Sequence, residues 1–368
     1  MGALRVLAVT NMYPTESRPD VGTFVHQQIE GLKRLGLEVE VLHMTRSHAA
    51  SNAKAGPFLI AARRSYWGAR LKVQRRIDAV SPDIVHSMYG GVMAEIVTRA
   101  SGRLPVVVSF CGSDLLGEPA STIVRRVAIR LGVWASHVAA SRADAIIVKS
   151  QNLRDALGRH IDSRRVWTIA NGVDMERFRP MSQSSCREKL GWRPDVAHVL
   201  FPSFAGHPRK RFPLARAAVD LLRASGIDIE LHELQMVQHE DIPTWLNASD
   251  CVILTSVNEG SPNIVKEALA CDRPVVSVDV GDVRERLEGI PGCFVTDATP
   301  EDLSEKLRRV LESSARRVDG RVRVHDLALE RVAERLLDVY RTVLEDFQPS
   351  EHQRFLAPAG PKSRRSFS

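Results

Sequence analysis

No stretch of these 368 residues approaches the ~18 consecutive apolar residues that a membrane-spanning helix needs, so no span is expected. Cysteine is scarce: five, at Cys111, Cys186, Cys251, Cys271 and Cys293. They are scattered, odd in number and form no metal-type pair, which fits reduced thiols in a cytoplasmic protein. Aromatic residues make up only 5% of the chain, and no recognised nucleic-acid module occurs. Both argue against nucleic acid as a partner. No Gly-x-Gly-x-x-Gly follows the first apolar run, which argues against a dinucleotide-dependent dehydrogenase. No Asp-x-Asp metal motif occurs. The chain opens directly on an apolar run, Leu4 to Thr10, and no cleavable leader is expected before it.

What is present describes an ordinary globular protein, 44% hydrophobic and 26% charged, long enough for two domains. The net charge is +7 and the pI about 9.4. Basic residues gather in Ala61 to Val80 (Arg63, Arg64, Arg70, Lys72, Arg75, Arg76, with Tyr66 and Trp67). They gather again in Ile123 to Val138 (Arg125, Arg126, Arg130, with Trp134). Both read as helices of mixed basic and apolar character. They suit loose peripheral docking on an anionic membrane face, such as the inner face of the cytoplasmic membrane. They suit equally a solvated face of an arginine-rich protein.

Short apolar runs alternate with helical segments along the whole chain, which predicts parallel sheets covered by helices. In the first half the strands are Leu4 to Thr10, Glu38 to Leu42, Ile84 to His86, Val106 to Phe110, Ala145 to Val148 and Val166 to Ile169. In the second they are Val199 to Pro202, Asp228 to Leu231, Cys251 to Thr255, Val275 to Val278 and Cys293 to Val295. The stretch from Asn171 to Arg193 is polar, with Pro180, Ser182, Ser184 and Ser185, and reads as the linker. A last helix is predicted over Val324 to Phe347 from apolar spacing at Leu327, Val332, Leu336, Val339, Tyr340 and Val343. The implied domains are 1–175, 176–325 and a closing helix at 326–347. The tail 348–368, rich in Pro, Ser, Arg and Lys, reads as disordered.

The most informative stretch is Asn258-Glu259-Gly260-Ser261-Pro262-Asn263-Ile264-Val265-Lys266-Glu267. Two carboxylates bracket a tight turn between a strand and a helix start. The first N–H groups of such a helix lack internal partners and attract anions, phosphate above all. Carboxylates accept hydrogen bonds from hydroxyls. Bare N–H groups beside carboxylates suit a sugar nucleotide. An N-capped helix flanked by two solvated acids fits the same spacing.

This stretch resembles the signature of family 4 retaining glycosyltransferases of the GT-B fold. It continues as Glu267-Ala268-Leu269-Ala270, Pro274-Val275-Val276 and Asp279-Val280-Gly281. Further matches lie at Gly22-Thr23-Phe24, Gly112-Ser113-Asp114, Asn171-Gly172-Val173-Asp174 and around Lys210, from about Leu4 to about Tyr340. The resemblance implies two Rossmann-like parallel-sheet domains facing across a cleft, with the last helix crossing back to the first domain. It implies transfer of a hexose-type sugar from a nucleoside-diphosphate donor, a UDP- or GDP-sugar, to an acceptor hydroxyl. The acceptor would be a glycan, a lipid-linked or a small molecule, in polysaccharide or glycoconjugate biosynthesis. No tightly bound cofactor or metal is implied.

Site roles follow from the same resemblance. Glu267 accepts from the ribose and Glu259 orients the hexose. Gly260, Ser261, Pro262, Asn263 and Ile264 form the helix end, with Ser261 to Ile264 supplying backbone donors. Lys210 carries the diphosphate charge. Relatives place an Arg a few residues earlier, where this chain has Phe204, Ala205 and Gly206; that Arg is either missing here or replaced by Arg209. Gly22 lets the loop after the first strand approach the ligand. Asp114 is a candidate catalytic residue on the acceptor side, or a structural one that caps the next helix. Cys111 stands where many relatives carry His, which fits chemistry in which the donor phosphate, not a protein base, takes the acceptor proton. His86 reads as structural. The loop Gln235 to Asp241 is expected near the base. Rival readings are a sugar-nucleotide epimerase, an inverting transferase of the same fold, or a non-catalytic nucleotide-sugar-binding scaffold.

Overall fold

The computed structural model describes residues 3–16, 21–44, 55–203, 206–313 and 317–347, with the side chains of 55–64 outside the description. The expected tail, the residues Phe204 and Ala205, and the side chains of Arg63 and Arg64 fall outside it.

Two parallel sheets carry the fold. The first holds β1 (Arg5–Thr10), β2 (Glu38–His43), β3 (Ile84–Ser87), β4 (Val106–Phe110), β5 (Ala145–Val148) and β6 (Val166–Thr168). Their order is β2-β1-β3-β4-β5-β6. The second holds β7 (Ala197–Phe201), β8 (Ile229–Glu233), β9 (Cys251–Leu254), β10 (Val275–Val278) and β11 (Phe294–Thr296). Their order is β11-β10-β9-β7-β8. Every residue of β3, β4, β5, β9 and β10 is buried, because helices cover both faces. The edge strands β2 and β8 are half-buried and carry the charges, Glu38, Glu40, Glu230 and Glu233. In each sheet the strand order reverses beside the first strand, β1 or β7. Ligands of open α/β sheets sit at such switch points, beyond the carboxyl ends of the strands.

The chain crosses back at its end. Leu327 and Leu329 bond to Val173 in a short parallel bridge, with Val173 N–H donating to Leu327 O at 2.8 Å. The helix Leu329–Asp346 then packs Val332, Leu336, Val339, Tyr340 and Val343 against Val6, Leu32, Ile84, Val107 and Ile147 of the first domain. Gly31 of the helix Thr23–Arg34 admits Ala333 closely: a Cβ there would lie 3.0 Å from the Ala333 Cβ. The predicted helix over Val324 to Phe347 is shorter in the structure. Residues His325–Leu327 form a 3-10 turn, because the backbone of 327–329 is diverted to Val173.

A second departure is the polar linker, which contains a helix, Gln183–Leu190. Ser182 caps it by accepting from Ser185 N–H, and Gly191 ends it at φ 67°. Its buried face is only Cys186 and Arg187, and the Arg187 guanidinium meets Asp250 at 2.7 Å. No described helix is long and apolar enough to cross a membrane.

Candidate active site

A cleft of about 1180 Å³ lies between the two sheets, lined by residues of both domains. From the first domain come the loop after β1, Tyr89, and the turn Cys111 to Ser113. From the second come Arg209, Lys210, His239 and the whole of Glu259 to Ile264, with Glu267. Gly22 lines it too. At φ 75°, with the would-be Cβ 2.3 Å from Met12 O, no other residue fits there.

The centre of the second domain's wall is a three-residue ion cluster. β7 pairs with β9, so the loops leaving their carboxyl ends are neighbours. Lys210 and Arg209 leave the first loop and Glu259 the second. Lys210 Nζ lies 2.6 Å from Glu259 Oε1 and Arg209 Nη1 2.8 Å from Oε2. Ser256 Oγ donates to Oε1 at 2.8 Å. Burial alone would raise the Glu259 carboxyl. The charges of Lys210 and Arg209, with the Lys210 and Ser256 hydrogen bonds, outweigh it and hold the group below its ordinary range. Thr255 Oγ1 donates to Lys210 O at 2.7 Å and Arg211 Nε to Thr255 O at 2.6 Å, so the cationic loop is tied to the strand end behind it.

Beside this cluster the helix Asn263–Ala270 opens with Pro262 at its cap and no side-chain cap bond. Pro262 has no N–H, so the helix-end donors facing the cleft reduce to Ser261, Asn263 and Ile264. Behind the turn, Lys266 is fully buried and donates from Nζ to Asn171 O and to Ser261 Oγ, each at 3.0 Å. Ser261 Oγ in turn donates to Asp282 at 2.9 Å. Burial pushes the Lys266 amine down to about 8, against the opposing pull of Asp282. Glu267 lies one position on, lining the cleft, 3.4 Å from His239 Nε2.

The first domain meets this wall through backbone. A Cβ on Gly260 would lie 2.0 Å from Cys111 O, and one on Gly281 2.6 Å from Gly260 O. Asp114 is buried and does not line the cleft. Its carboxylate accepts from the N–H groups of Gly90, Cys111 and Gly112 at 2.7–3.1 Å, shaping the turn that touches Gly260. Asp114 thus clamps the preceding loop and makes no cap bond to the helix that follows. His86 is likewise fully buried, 2.6 Å from the Tyr340 hydroxyl and 2.8 Å from Ser109 Oγ, and burial pushes it down to about 3. The Cys111 thiol is pushed up to about 12, first by burial and then by Asp114.

Sequence reasoning gave no individual site role to cleft residues such as Tyr89, His239 and Asn171. His239 and Tyr89 stand in no motif. Asn171, at the start of the stretch that reads as linker, bridges the Gln28 and Asn263 side chains at 3.0 and 3.3 Å.

Residues 21–177 match the domain described as Glycosyltransferase Family 4, and residues 204–313 match Glycosyl transferases group 1. The chain is 25% identical over 311 residues to D-inositol 3-phosphate glycosyltransferase 1 of Catenulispora acidiphila, covering 72% of this chain and 73% of that one. Its fold is similar to sucrose-phosphate synthase from Thermosynechococcus elongatus, with TM-score 0.74 at 16% identity over 93% of this chain and 99% of that one. It is similar also to Anabaena HepE, solved in complex with UDP, with TM-score 0.64 at 16% identity over 92% and 100%. Sequence signature, paired sheets and cleft agree: the chain belongs to glycosyltransferase family 4, retaining enzymes of the GT-B fold that move a sugar from a nucleotide-sugar donor.

Proposed function

We propose that the donor lies on the second domain with its diphosphate between the Lys210–Arg209 pair and the helix end at Ser261 to Ile264. The observation that carries this is the convergence of two cations on one carboxylate, inside a cleft, beside a helix start. Glu259 keeps two like charges 2.6–2.8 Å from its own oxygens. A diphosphate entering there finds the positive charge already oriented, which is the usual source of electrostatic rate enhancement. Glu259 then orients the hexose hydroxyls, and Glu267 accepts from the ribose. The loop Gln235 to Asp241, with His239 beside Glu267, faces the base. The anomeric carbon–oxygen bond breaks with its electrons going to the phosphate oxygen. The acceptor hydroxyl attacks from the same side and gives its proton to that phosphate oxygen. Retention follows, and no protein base is needed. The domains divide as 1–175 for the acceptor and 176–325 for the donor.

The donor base is the open term, uracil or guanine. UDP, GDP, ADP and TDP would each be added to the purified protein and its melting followed. One nucleotide is expected to stabilise it, by about 2.7 kcal/mol at 100 times its Kd, with the shift lost in Glu267→Ala. A shift without turnover would favour the non-catalytic scaffold, and no shift with any of the four would point to a donor outside this panel.

The acceptor side has its own signal. The helix Ile123–Arg142 buries only its second half, at Ala135, Ser136, Ala139 and Ala140. Its outer face shows Ile123, Val124 (79% exposed), Val127, Leu131 and Trp134 (62% exposed), with Trp67 and Leu71 alongside. Arg125, Arg126 and Arg130 are exposed among them. Exposed apolar side chains ringed by arginines suit an anionic bilayer that presents a lipid-linked acceptor. Binding to vesicles with anionic lipid, absent from zwitterionic ones and lost in Val124→Glu with Trp134→Glu, is the expected result. Equal binding by the variant would leave these residues an ordinary solvated face.

A further inference from the structure

The edge of the second sheet, on β7 and β8, gathers a set of side chains that the transfer reaction does not use. β7 and β8 pair in parallel with His198 opposite Glu230. His232 stands two residues beyond Glu230, so all three share one face. His198 Nδ1 lies 2.8 Å from His232 Nε2. Glu230 Oε2 lies 3.7 Å from that His198 nitrogen and 3.6 Å from that His232 nitrogen.

The protonation of His198 follows from its other nitrogen. Nε2 is 2.7 Å from Arg193 O. A carbonyl only accepts, so Nε2 carries the hydrogen and Nδ1 turns its lone pair toward the other two groups. A ring that donates one N–H to a backbone carbonyl while presenting the other nitrogen is the arrangement that orients a metal-ligating histidine. The backbone N–H of His198 is itself held by Asp250 at 2.7 Å, and Asp250 by Arg187 at 2.7 Å. The ring is fully buried and fixed at both ends.

A hydrogen bond between the two imidazoles accounts for their 2.8 Å approach but leaves Glu230 beyond hydrogen-bonding reach of either. A cation accounts for all three. A point equidistant from atoms at these three separations lies about 2 Å from each, the ordinary zinc–nitrogen and zinc–oxygen distance. Trp192 covers the site on one side, stacked on His232 at 3.7 Å between ring centres and 9° between planes. Glu230, with 39% of its side chain exposed, leaves the other side open to water as a fourth ligand.

We propose that His198, His232 and Glu230 form a divalent-cation site, fitted best by Zn2+, that ties the edge strand β8 to β7 and to the Trp192 turn. None of the three lines the cleft, so the site is structural and separate from sugar transfer. Two nitrogens and one oxygen in a compact triangle suit a tetrahedral first-row ion. A cation here also blunts an exposed edge strand by fixing its geometry.

The test uses the full chain stripped with a chelator and then titrated with Zn2+ alone by calorimetry, and with Co2+ by visible absorption. One equivalent of Zn2+, the intense visible bands of tetrahedral Co2+, and quenching of tryptophan fluorescence through Trp192 are expected. Glu230→Gln, near the surface and of near-identical shape, should weaken binding at least tenfold, and His232→Ala at least a hundredfold. Nucleotide binding by both variants checks that they are folded. Absence of stoichiometric binding to the wild type would overturn the site. So would undiminished binding by folded Glu230→Gln and His232→Ala.

Discussion

At the scale of single residues, the cleft is decided by where charge is held. Lys210 and Arg209 share Glu259, and the three form a preassembled patch rather than three separate contacts. Charge on the leaving diphosphate grows most in the transition state, so the loss of Lys210 should fall on kcat. Lys210→Ala is expected to lower kcat by about 10²–10³, the ~3–4 kcal/mol worth of one well-placed donor, with a smaller change in donor KM. Steady-state kinetics separates the two; an unchanged kcat would remove Lys210 from the role. Lys266 gives a second prediction, in stability. Its amine sits at about 8 in the fold against 10.5 in the open chain. Between those values the unfolded chain binds more protons, so stability rises with pH through the window from about 8 to 10.5. Below it, the buried charge is a cost. Denaturant unfolding of wild type and Lys266→Met across that window should show the rise in the first and its loss in the second. Glu259, Lys210 and Glu267 stand out as site candidates in the sequence because they lie in matched motifs. Their meeting does not. Lys210 and Glu259 are 49 residues apart, and only the β7–β9 pairing makes their loops neighbours. Tyr89 belongs to no pattern, and His239 is reached only through the loop Gln235 to Asp241 that holds it.

At the scale of elements, legibility follows how much apolar surface each one buries. The helix Asn263–Ala270 buries all six residues from Val265 to Ala270, and its position was evident from the apolar strand and turn before it. The helix Gln183–Leu190 buries only Cys186 and Arg187, so it shows no apolar period, and its run of serines reads as linker. What holds it is capping at Ser182 and the Arg187–Asp250 pair, which are tertiary facts. Ser182→Ala should therefore cost about 1 kcal/mol of stability, the usual value of an N-cap, with no effect on turnover. Chemical denaturation measures the first and a standard assay the second; an unchanged midpoint would mean that the ion pair alone secures this helix. The closing helix erred in the opposite sense. Its apolar spacing continues back to Leu327, but Leu327 and Leu329 spend their backbone groups on Val173, and the α-helix starts only at Leu329.

At the scale of the whole molecule, the two domains are joined by covalent and packed links on one side of the cleft and by a close apposition of glycine turns, with two asparagine hydrogen bonds beside it, on the other. The helix Leu329–Asp346 and its Tyr340–His86 bond fasten the ends of the chain to the first domain. Across the cleft, the Cys111–Gly112 turn rests on Gly260, which rests on Gly281, flanked by hydrogen bonds from Asn152 Nδ2 to Glu259 O and from Asn258 Nδ2 to Gly117 O. Asp114 sets the shape of the first turn, and Lys266 braces the second through Ser261 while reaching Asn171. This apposition brings the first domain to the Lys210–Glu259 wall. A methyl group at Gly260 would fall 2.0 Å from Cys111 O, where no backbone shift of a few tenths of an ångström can admit it. Gly260→Ala keeps the backbone N–H at the helix end and removes only the room for the first domain. It should therefore bind UDP or GDP as the wild type does, yet turn over poorly. Small-angle scattering should show a larger radius of gyration than the wild type. Wild-type compactness together with wild-type kcat in this variant would mean that transfer does not require the two glycine turns to meet.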